Sequence, residues 1–435
     1  MKRKRAVLEL RPPAFAYQAA TKPTGSNQLF SEKVSLHDLA AHHGTPLYVY
    51  STAMIRARLQ AFANAFRSVP HTLCYSVKAN STLGILRLIA GESAGFDVVS
   101  GGELQRVLRV SKKAAVKVVF SGVGKTAAEM ELALRTGILL FNVESASELN
   151  LLAATATRLK KRAAVAIRVN PDVSAKTHPY ISTGLHQHKF GVPIPEAQTL
   201  YAQAAKHPYL TVAGVSVHIG SQITDVASFQ AALERVADLF RTLRCQGHDI
   251  RYIDAGGGLG ISYDGPQTHF TKQISAYAKA VIRPLRGLKL HLLLEPGRSI
   301  VGPAGVLLTR VLYRKTNHRK RFLIVDAAMN DLIRPSLYGA YHEIVPVFRS
   351  SQTTETTDVV GPVCETGDFF ARDRNLPLVN EGDLLAILDV GAYGSVLSSN
   401  YNTRGRGAEV LVDGAKARVI RRRESFADQV RIEVP

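Results

Sequence analysis

Lys78 sits in the segment Tyr75-Ser76-Val77-Lys78-Ala79-Asn80, at the end of a strand-like run from Thr72 to Val77. Strand interiors disfavour lysine, and a surface lysine needs no apolar lead-in. A partly desolvated lysine amine sheds its charge more easily and becomes a nucleophile or Schiff-base former. Taken locally, the simpler reading is a strand that ends in water with a solvated lysine. The rest of the chain reverses that choice.

Three further clusters carry chemistry. Gly256-Gly257-Gly258-Leu259-Gly260 follows a strand-like run, and glycine allows backbone to approach an anion closely. Its spacing fails as a dinucleotide fingerprint, and a tight turn is the plain alternative. Glu295-Pro296-Gly297-Arg298 puts a carboxylate and a guanidinium at one strand end, and arginine suits a bidentate grip on phosphate or carboxylate. A structural ion pair would use the same residues. His218 ends an apolar run, with Ser221 and Gln222 close behind. A lone histidine there is usually a core residue, so it gains weight only in company.

These groups need elements that bring them together. Eight strand-like runs end in small, polar or glycine-rich residues: Thr72–Val77, Phe96–Val99, Val116–Phe120, Ile138–Val143, Ala164–Val169, Val212–Val217, Tyr252–Ala255 and Lys289–Leu294. Helix-period stretches lie between them, at Glu103–Leu108, Ala127–Leu134, Ser147–Leu159, Glu196–Lys206, Ser228–Leu243 and Phe270–Ile282. Strands alternating with helices call for parallel βα units, and eight of them match an α/β fold of the (β/α)8 barrel type. An open doubly wound sheet is the structural alternative. In a barrel, functional groups stand at the C-terminal strand ends. Lys78, His218, Ser221, the triple glycine and Glu295 to Arg298 all lie there. The connection from Asp172 to Pro195 is long for its position and holds His178 to Gly184 and Lys189-Phe190-Gly191, which reads as a lid.

After about residue 305 the pattern becomes short apolar or alternating runs separated by turns such as Asn380-Glu381-Gly382-Asp383 and Val412-Asp413-Gly414. That is an all-β domain. The expected division is 1–44, a weakly ordered arm up to about residue 30 with a segment joining the β-domain; 45–304, the barrel; and 305–435, the β-domain. The strand at Leu47–Tyr50 is a further candidate to join the β-domain.

Composition narrows the class. The chain has 435 residues, long enough for two or three domains with a large core. No apolar run is long enough to span a bilayer, and no signal-peptide core follows the basic Met1 to Arg5, so a soluble, cytoplasmic protein is expected. Cys74, Cys245 and Cys364 give neither a metal pair nor a disulfide framework, and a sparse odd set suits a reducing compartment. The net charge is +20, but the basic clusters are scattered and lack interleaved aromatics. Steering of anionic ligands is favoured over nucleic-acid binding.

An amine nucleophile, a phosphate cradle, a ring to stack and a carboxylate in one barrel mouth suggest pyridoxal 5′-phosphate (PLP), which needs those groups. On the segments quoted above, the sequence resembles the fold-type III PLP-dependent decarboxylases. Within them it is most similar to the group acting on meso-2,6-diaminopimelate. Further segments that carry the resemblance are His218-Ile219-Gly220-Ser221-Gln222, Met329 to Tyr338, Gly361-Pro362-Val363-Cys364-Glu365-Thr366-Gly367-Asp368 and Gly391-Ala392-Tyr393-Gly394. The match runs from about Thr45 to Gly414; the first 30 residues and the strong basicity have no counterpart in it.

The resemblance implies a barrel plus a β-domain, a homodimer with shared active sites, and formation of L-lysine and CO2 in the last step of lysine biosynthesis. Lys78 would hold PLP through its amine. His218 would stack on the ring, and Glu295 would keep the pyridine nitrogen protonated. Ser221, Gly257, Gly258, Gly297 and Arg298 would hold the phosphate, with Tyr393 closing over it. Arg298, Arg334, Tyr338 and Tyr393 would contact substrate, the first three at its distal carboxylate. Cys364, the proton donor, and Glu365, reading the distal ammonium, would come from the partner subunit. Neither nucleic acid nor membrane is expected as a partner. A related decarboxylase of ornithine, arginine or carboxynorspermidine would share the cofactor set, but Arg334 and Glu365 argue against it. A racemase has less use for Cys364-Glu365, and a non-enzymatic binding role rests mainly on the basic charge.

Overall fold

The computed structural model describes residues 8–19, 27–173, 189–264, 269–349 and 353–434. They form two compact units, one within Arg58–Gly260 and Phe270–Ser299, the other within Met1–Ala57, Ile261–His269 and Ile300–Pro435.

The first unit is a closed parallel barrel. Its strands are β1 (His71–Ser76), β2 (Gly95–Val98), β3 (Val118–Phe120), β4 (Leu140–Val143), β5 (Ala163–Asn170), β6 (Leu210–Val217), β7 (Tyr252–Asp254) and β8 (His291–Leu294). Each pairs in parallel with its successor, and β8 returns to β1 through Leu292–His71, Leu293–Thr72 and Leu294–Leu73. All eight strands fall on the runs expected from sequence, and the (β/α)8 barrel with a β-rich partner unit is the observed fold class. Such closure leaves no free edge, so the barrel strands need little polar protection and read as apolar runs.

The helices of nine residues or more among the described residues are α1 (Thr52–Phe66), α2 (Leu83–Gly91), α3 (Gly101–Val110), α4 (Ala127–Thr136), α5 (Ala146–Leu159), α6 (Ile194–Ala205), α7 (Val226–Cys245) and α8 (Phe270–Leu285). The sequence reading did not anticipate α1 and α2. The first is alanine-rich and the second almost wholly apolar, so neither shows strong contrast between faces. Several strand-end residues do local work. Ser100, Thr126 and Ser145 accept the backbone N–H of Glu103, Glu129 and Glu148 and so cap α3, α4 and α5. Inside the barrel, Cys74, Val119, Leu140, Ala166, Ala213 and Leu293 pack into one apolar cluster. Among the described residues, no helix is long and apolar enough to cross a membrane.

The second unit is β-rich. Its main sheet runs in the order Phe369–Pro377, Thr354–Val360, Lys320–Val325, Gly305–Asn317, Leu47–Ser51, Ala408–Asp413, Lys416–Arg421. Leu47–Ser51 pairs antiparallel with Gly305–Asn317 and parallel with Ala408–Asp413. The strand Phe369–Pro377 escaped the sequence reading because Arg372, Asp373 and Arg374 interrupt its apolar pattern; its pairing with Thr354–Val360 makes it a strand.

Residues 8–19 and 27–30 differ from the weakly ordered arm expected on composition. Leu8–Arg11, Phe15–Ala19 and Asn27–Ser31 form an antiparallel sheet that Phe348–Arg349 extends. Phe15 and Tyr17 are buried, and Arg11 is buried against Asp389, at 2.7 Å, and Glu343, at 3.0 Å. These anchors lie far away in sequence, so local composition does not reveal them.

Breaking a buried ion pair from one side leaves an uncompensated charge. Arg11→Met should therefore cost about 3–5 kcal/mol of stability, and pairing it with Asp389→Leu should return most of that loss, both read by chemical denaturation.

Candidate active site

The C-terminal end of the barrel collects the expected groups. After β1 the chain makes a tight helical turn, Val77–Ala79, that sets Lys78 at the mouth. Its amine donates to Oδ2 of Asp97 at 3.0 Å, and Ser76 Oγ donates to the same oxygen at 2.6 Å. The Lys78 side chain keeps 34% of its accessible surface while Asp97 keeps none. The lysine is thus half in solvent, steered by a buried carboxylate on β2.

His218 follows β6 and is half-buried. Gly257 donates its backbone N–H to Nδ1 at 3.1 Å, and Arg168 donates Nη2–H to the His218 carbonyl at 3.3 Å. An Nδ1 that accepts leaves the ring proton on Nε2. Burial, and the positive charges of Arg168 and Lys78, hold this imidazole well below its ordinary range. It is a neutral flat ring.

Glu295 ends β8, and Asp254 ends β7. Both are buried. Glu295 Oε1 accepts from Ser121 Oγ at 3.1 Å, while Asp254 accepts from Asn142 Nδ2 at 2.7 Å and from the Gly256 N–H at 2.9 Å. Burial first, then the neighbouring charges of Asp254 and Asp97, pushes Glu295 well above the usual carboxyl range, and Lys78 works against that rise. Two adjacent buried carboxyls cannot both ionise cheaply. Asp254 holds the stronger donors, so Glu295 carries the shared proton.

The triple glycine is required by close approach. A Cβ on Gly257 would lie 2.1 Å from the Glu295 carbonyl oxygen. Gly258 has φ +103°, and a Cβ there would lie 2.3 Å from the Gly220 oxygen. The N–H groups of Gly256 and Gly257 are committed to Asp254 and His218, so the turn serves the carboxylate and the imidazole directly. Beside it, Arg298 is buried and donates to Ser221 Oγ at 3.1 Å. Gly297 passes tightly over β1; a Cβ there would meet the side chains of Ala79 and Ser76 at 3.0 Å.

Asp97, Asn142, Glu144, Arg168 and Asp254 were missed in the sequence reading. Three of them, in Phe96-Asp97-Val98, Phe141-Asn142-Val143 and Ile253-Asp254-Ala255, are polar residues set into apolar strands, which is the signal that could have found them. Glu144 and Arg168 form a buried pair at 2.9 Å. The Phe190 ring lies 4.9 Å from the Arg168 guanidinium, and Gly191 donates its N–H to Glu144 at 3.2 Å. The expected lid segment His178 to Gly184 lies outside the described residues.

The β-rich unit holds the remaining candidates. Arg334 and Tyr338 share the short helix Arg334–Tyr338; Arg334 is buried and Tyr338 half-buried. Cys364 and Glu365 are exposed on the turn before Phe369–Pro377. Asp368 closes that turn by accepting the N–H of Val363 at 2.7 Å and of Met329 at 2.6 Å. The neighbouring Glu365 raises the Tyr401 phenol above its ordinary value. Tyr393 is half-buried and has φ +56°, uncommon for a residue with a side chain.

Comparison with known proteins agrees with this geometry. The family model described as pyridoxal-dependent decarboxylase, pyridoxal binding domain, matches residues 52–302. The diaminopimelate decarboxylase of Pseudomonas aeruginosa is 53% identical over 401 residues, covering 92% of this chain and 95% of that one. The crystal structure of the Helicobacter pylori diaminopimelate decarboxylase complexed with L-lysine is 44% identical, with a TM-score of 0.87 over 91% of this chain and 98% of that one. The M. jannaschii diaminopimelate decarboxylase in co-complex with L-lysine is 37% identical, with a TM-score of 0.90 over 98% and 99%.

The raised Glu295 gives a stability signature. Above the ordinary carboxyl value the folded chain holds a proton that the unfolded chain releases, so this contribution is complete at low pH and is lost as pH rises. In the cofactor-free protein, Glu295→Gln should make the decline in melting temperature between about pH 5 and 8 shallower than in the wild type. An unchanged slope would show that the carboxyl pair is not protonated.

Proposed function

Because the chain belongs to the pyridoxal-dependent decarboxylases, and within them to the diaminopimelate decarboxylases, we propose the following reading of its site. The enzyme is a PLP-dependent carboxy-lyase that converts meso-2,6-diaminopimelate to L-lysine and CO2. The observation that carries the reading is one barrel mouth where Lys78 pairs with buried Asp97 at 3.0 Å, His218 accepts from the Gly257 N–H at 3.1 Å and the buried Glu295 ends β8.

The residues present fit the cofactor. Asp97 Oδ1 and Asn142 Oδ1 are buried acceptors without a hydrogen-bond partner among the described residues, so this shell can take further donors. Lys78 would hold PLP through its amine, with Asp97 as the resting place of that amine. His218, kept neutral, would offer a flat face to the ring. Ser221, Gly258, Gly297 and Arg298 would hold the phosphate, with Gly257 contributing the room that its missing side chain leaves, and Tyr393 would close over it. When bound, PLP supplies an electron sink for the pair left behind as CO2 departs. Glu295 would keep a proton on the pyridine nitrogen, which deepens that sink. Asp254 makes this carboxyl more basic by denying it a full charge of its own in a dry site.

Arg298, Arg334 and Tyr338 would hold the distal carboxylate of the substrate. Glu365 would accept from its distal ammonium, and the Cys364 thiol would deliver a proton to Cα. Both are exposed in the single chain, which supports their serving a site on a partner subunit, hence a homodimer. All three cysteines are free, which supports a reducing, cytoplasmic setting.

Two measurements test the assignment. Purified enzyme supplied with PLP should absorb near the visible edge, lose that band with borohydride, and release L-lysine from meso-diaminopimelate; Lys78→Ala should abolish the band and lower turnover on the order of 10³-fold or more. Turnover of ornithine or arginine in place of meso-diaminopimelate would overturn the substrate. Cys364→Ala should lower kcat about 10²–10⁴-fold with KM nearly unchanged, and an unaltered kcat would remove the thiol as donor.

A further inference from the structure

Lys125 stands in the loop between β3 and α4, and its side chain has no exposed surface. Its amine donates to the Gly122 carbonyl at 2.7 Å, to the Asn142 carbonyl at 2.6 Å and to Glu148 Oε1 at 2.6 Å. An ammonium has three protons, and each meets an acceptor here. The other Glu148 oxygen accepts the backbone N–H of Glu144 at 3.0 Å. One cation thus ties together the loop after β3, the end of β4 and the first turn of α5.

The two carbonyls it holds lie beside the groups that serve the buried carboxyl pair. Ser121 precedes Gly122 and donates to Glu295 Oε1 at 3.1 Å. Asn142 donates from Nδ2 to Asp254 at 2.7 Å and to Ser121 Oγ at 3.1 Å. One amide therefore reaches Asp254 directly and Glu295 through the Ser121 hydroxyl. The register of β3 with β4 ends at Phe120 and Phe141, one residue before Ser121 and Asn142. Beyond that point Lys125 bridges the two chains and so fixes the spacing on which the relay depends. Stability alone is a poor reason for such a residue, because an apolar side chain fills buried space without desolvating a charge. What the ammonium adds is three donors from one point.

We propose that Lys125 is the positioning residue that sets Ser121 and Asn142 against the Asp254–Glu295 pair, and so aims Glu295 at the pyridine nitrogen of PLP. The proposal rests on the reading of Glu295 given above. It has Lys125 act through those two donors, so the grip on the ring nitrogen should respond to its loss and the grip on the rest of the cofactor should not.

The test compares PLP with the analogue in which carbon replaces the pyridine nitrogen, each titrated into enzyme freed of its cofactor. Both ligands keep the aldehyde and the phosphate. Lys125→Met combined with Glu148→Gln removes the ammonium without stranding a buried carboxylate, and the new amide oxygen still accepts the Glu144 N–H. Relative to Glu148→Gln alone, this double variant should weaken PLP on the order of tenfold and leave the affinity for the analogue little changed. Equal weakening of both ligands, or of neither, would overturn the proposal and reduce Lys125 to a strut of the barrel rim. Glu295→Ala separates the two levels of the argument. If it abolishes the preference for PLP over the analogue while the double variant preserves it, Lys125 has no aiming role although Glu295 reads the nitrogen. If Glu295→Ala itself leaves the preference intact, the reading of Glu295 fails and the proposal with it. Should the double variant not fold, Lys125→Gln with Glu148→Gln supplies the same comparison, since its amide reaches less far and offers two protons in place of three. Selective loss of PLP then supports the arrangement, and unselective loss or none overturns it.

Discussion

Burying two carboxyl groups side by side is the demand around which the barrel mouth is arranged. Glu295 and Asp254 end neighbouring strands, and water is excluded from both. They share one proton because two buried charges at contact distance would be prohibitively costly. Burial raises Asp254 as well, while Asn142 and the Gly256 N–H work against that rise and Ser121 donates to Glu295. Those contacts favour the proton on Glu295. Closure of the barrel makes this possible, since it brings β7 and β8 to β1 and so sets Lys78 within electrostatic reach of the pair.

The glycine-rich turn follows from the same packing. Its residues lack side chains because the Glu295 and Gly220 carbonyls already occupy the space. In return the turn gives Asp254 and His218 one backbone donor each. A motif that reads as an anion cradle thus also orients a carboxylate and an imidazole. Substitution there would disturb the contacts of Asp254 and His218.

Both units pair buried charges, Arg168 with Glu144 in the barrel and Arg11 with Asp389 in the β-rich unit. Arg334 donates to His342 and lies over the Tyr263 ring. Cys364 and Glu365 stand exposed on a turn closed by Asp368.

The sequence by itself determined the barrel elements and which candidate residues stand at their ends. Strand and helix periods are written within a few residues, so eight strands, their order and the positions of Lys78, His218 and Glu295 at their ends were legible. Local composition misled where distant partners decide. The first 30 residues look loose in sequence, yet within residues 8–19 Arg11 and Tyr17 bond to Asp389 and Pro346. Asp97, Asn142 and Asp254 are single polar residues in apolar strands, and only strand register and barrel closure show that they meet Lys78 and Glu295. His342 ends an unremarkable loop in sequence, and its ring becomes the partner of Arg334 only when the chain brings the Leu388 carbonyl against its other nitrogen. Pairing of this kind depends on three-dimensional proximity between residues far apart in the chain, which no local pattern encodes. The kinds of chemistry available were therefore set by composition and spacing, whereas protonation states and side-chain aim were decided by packing.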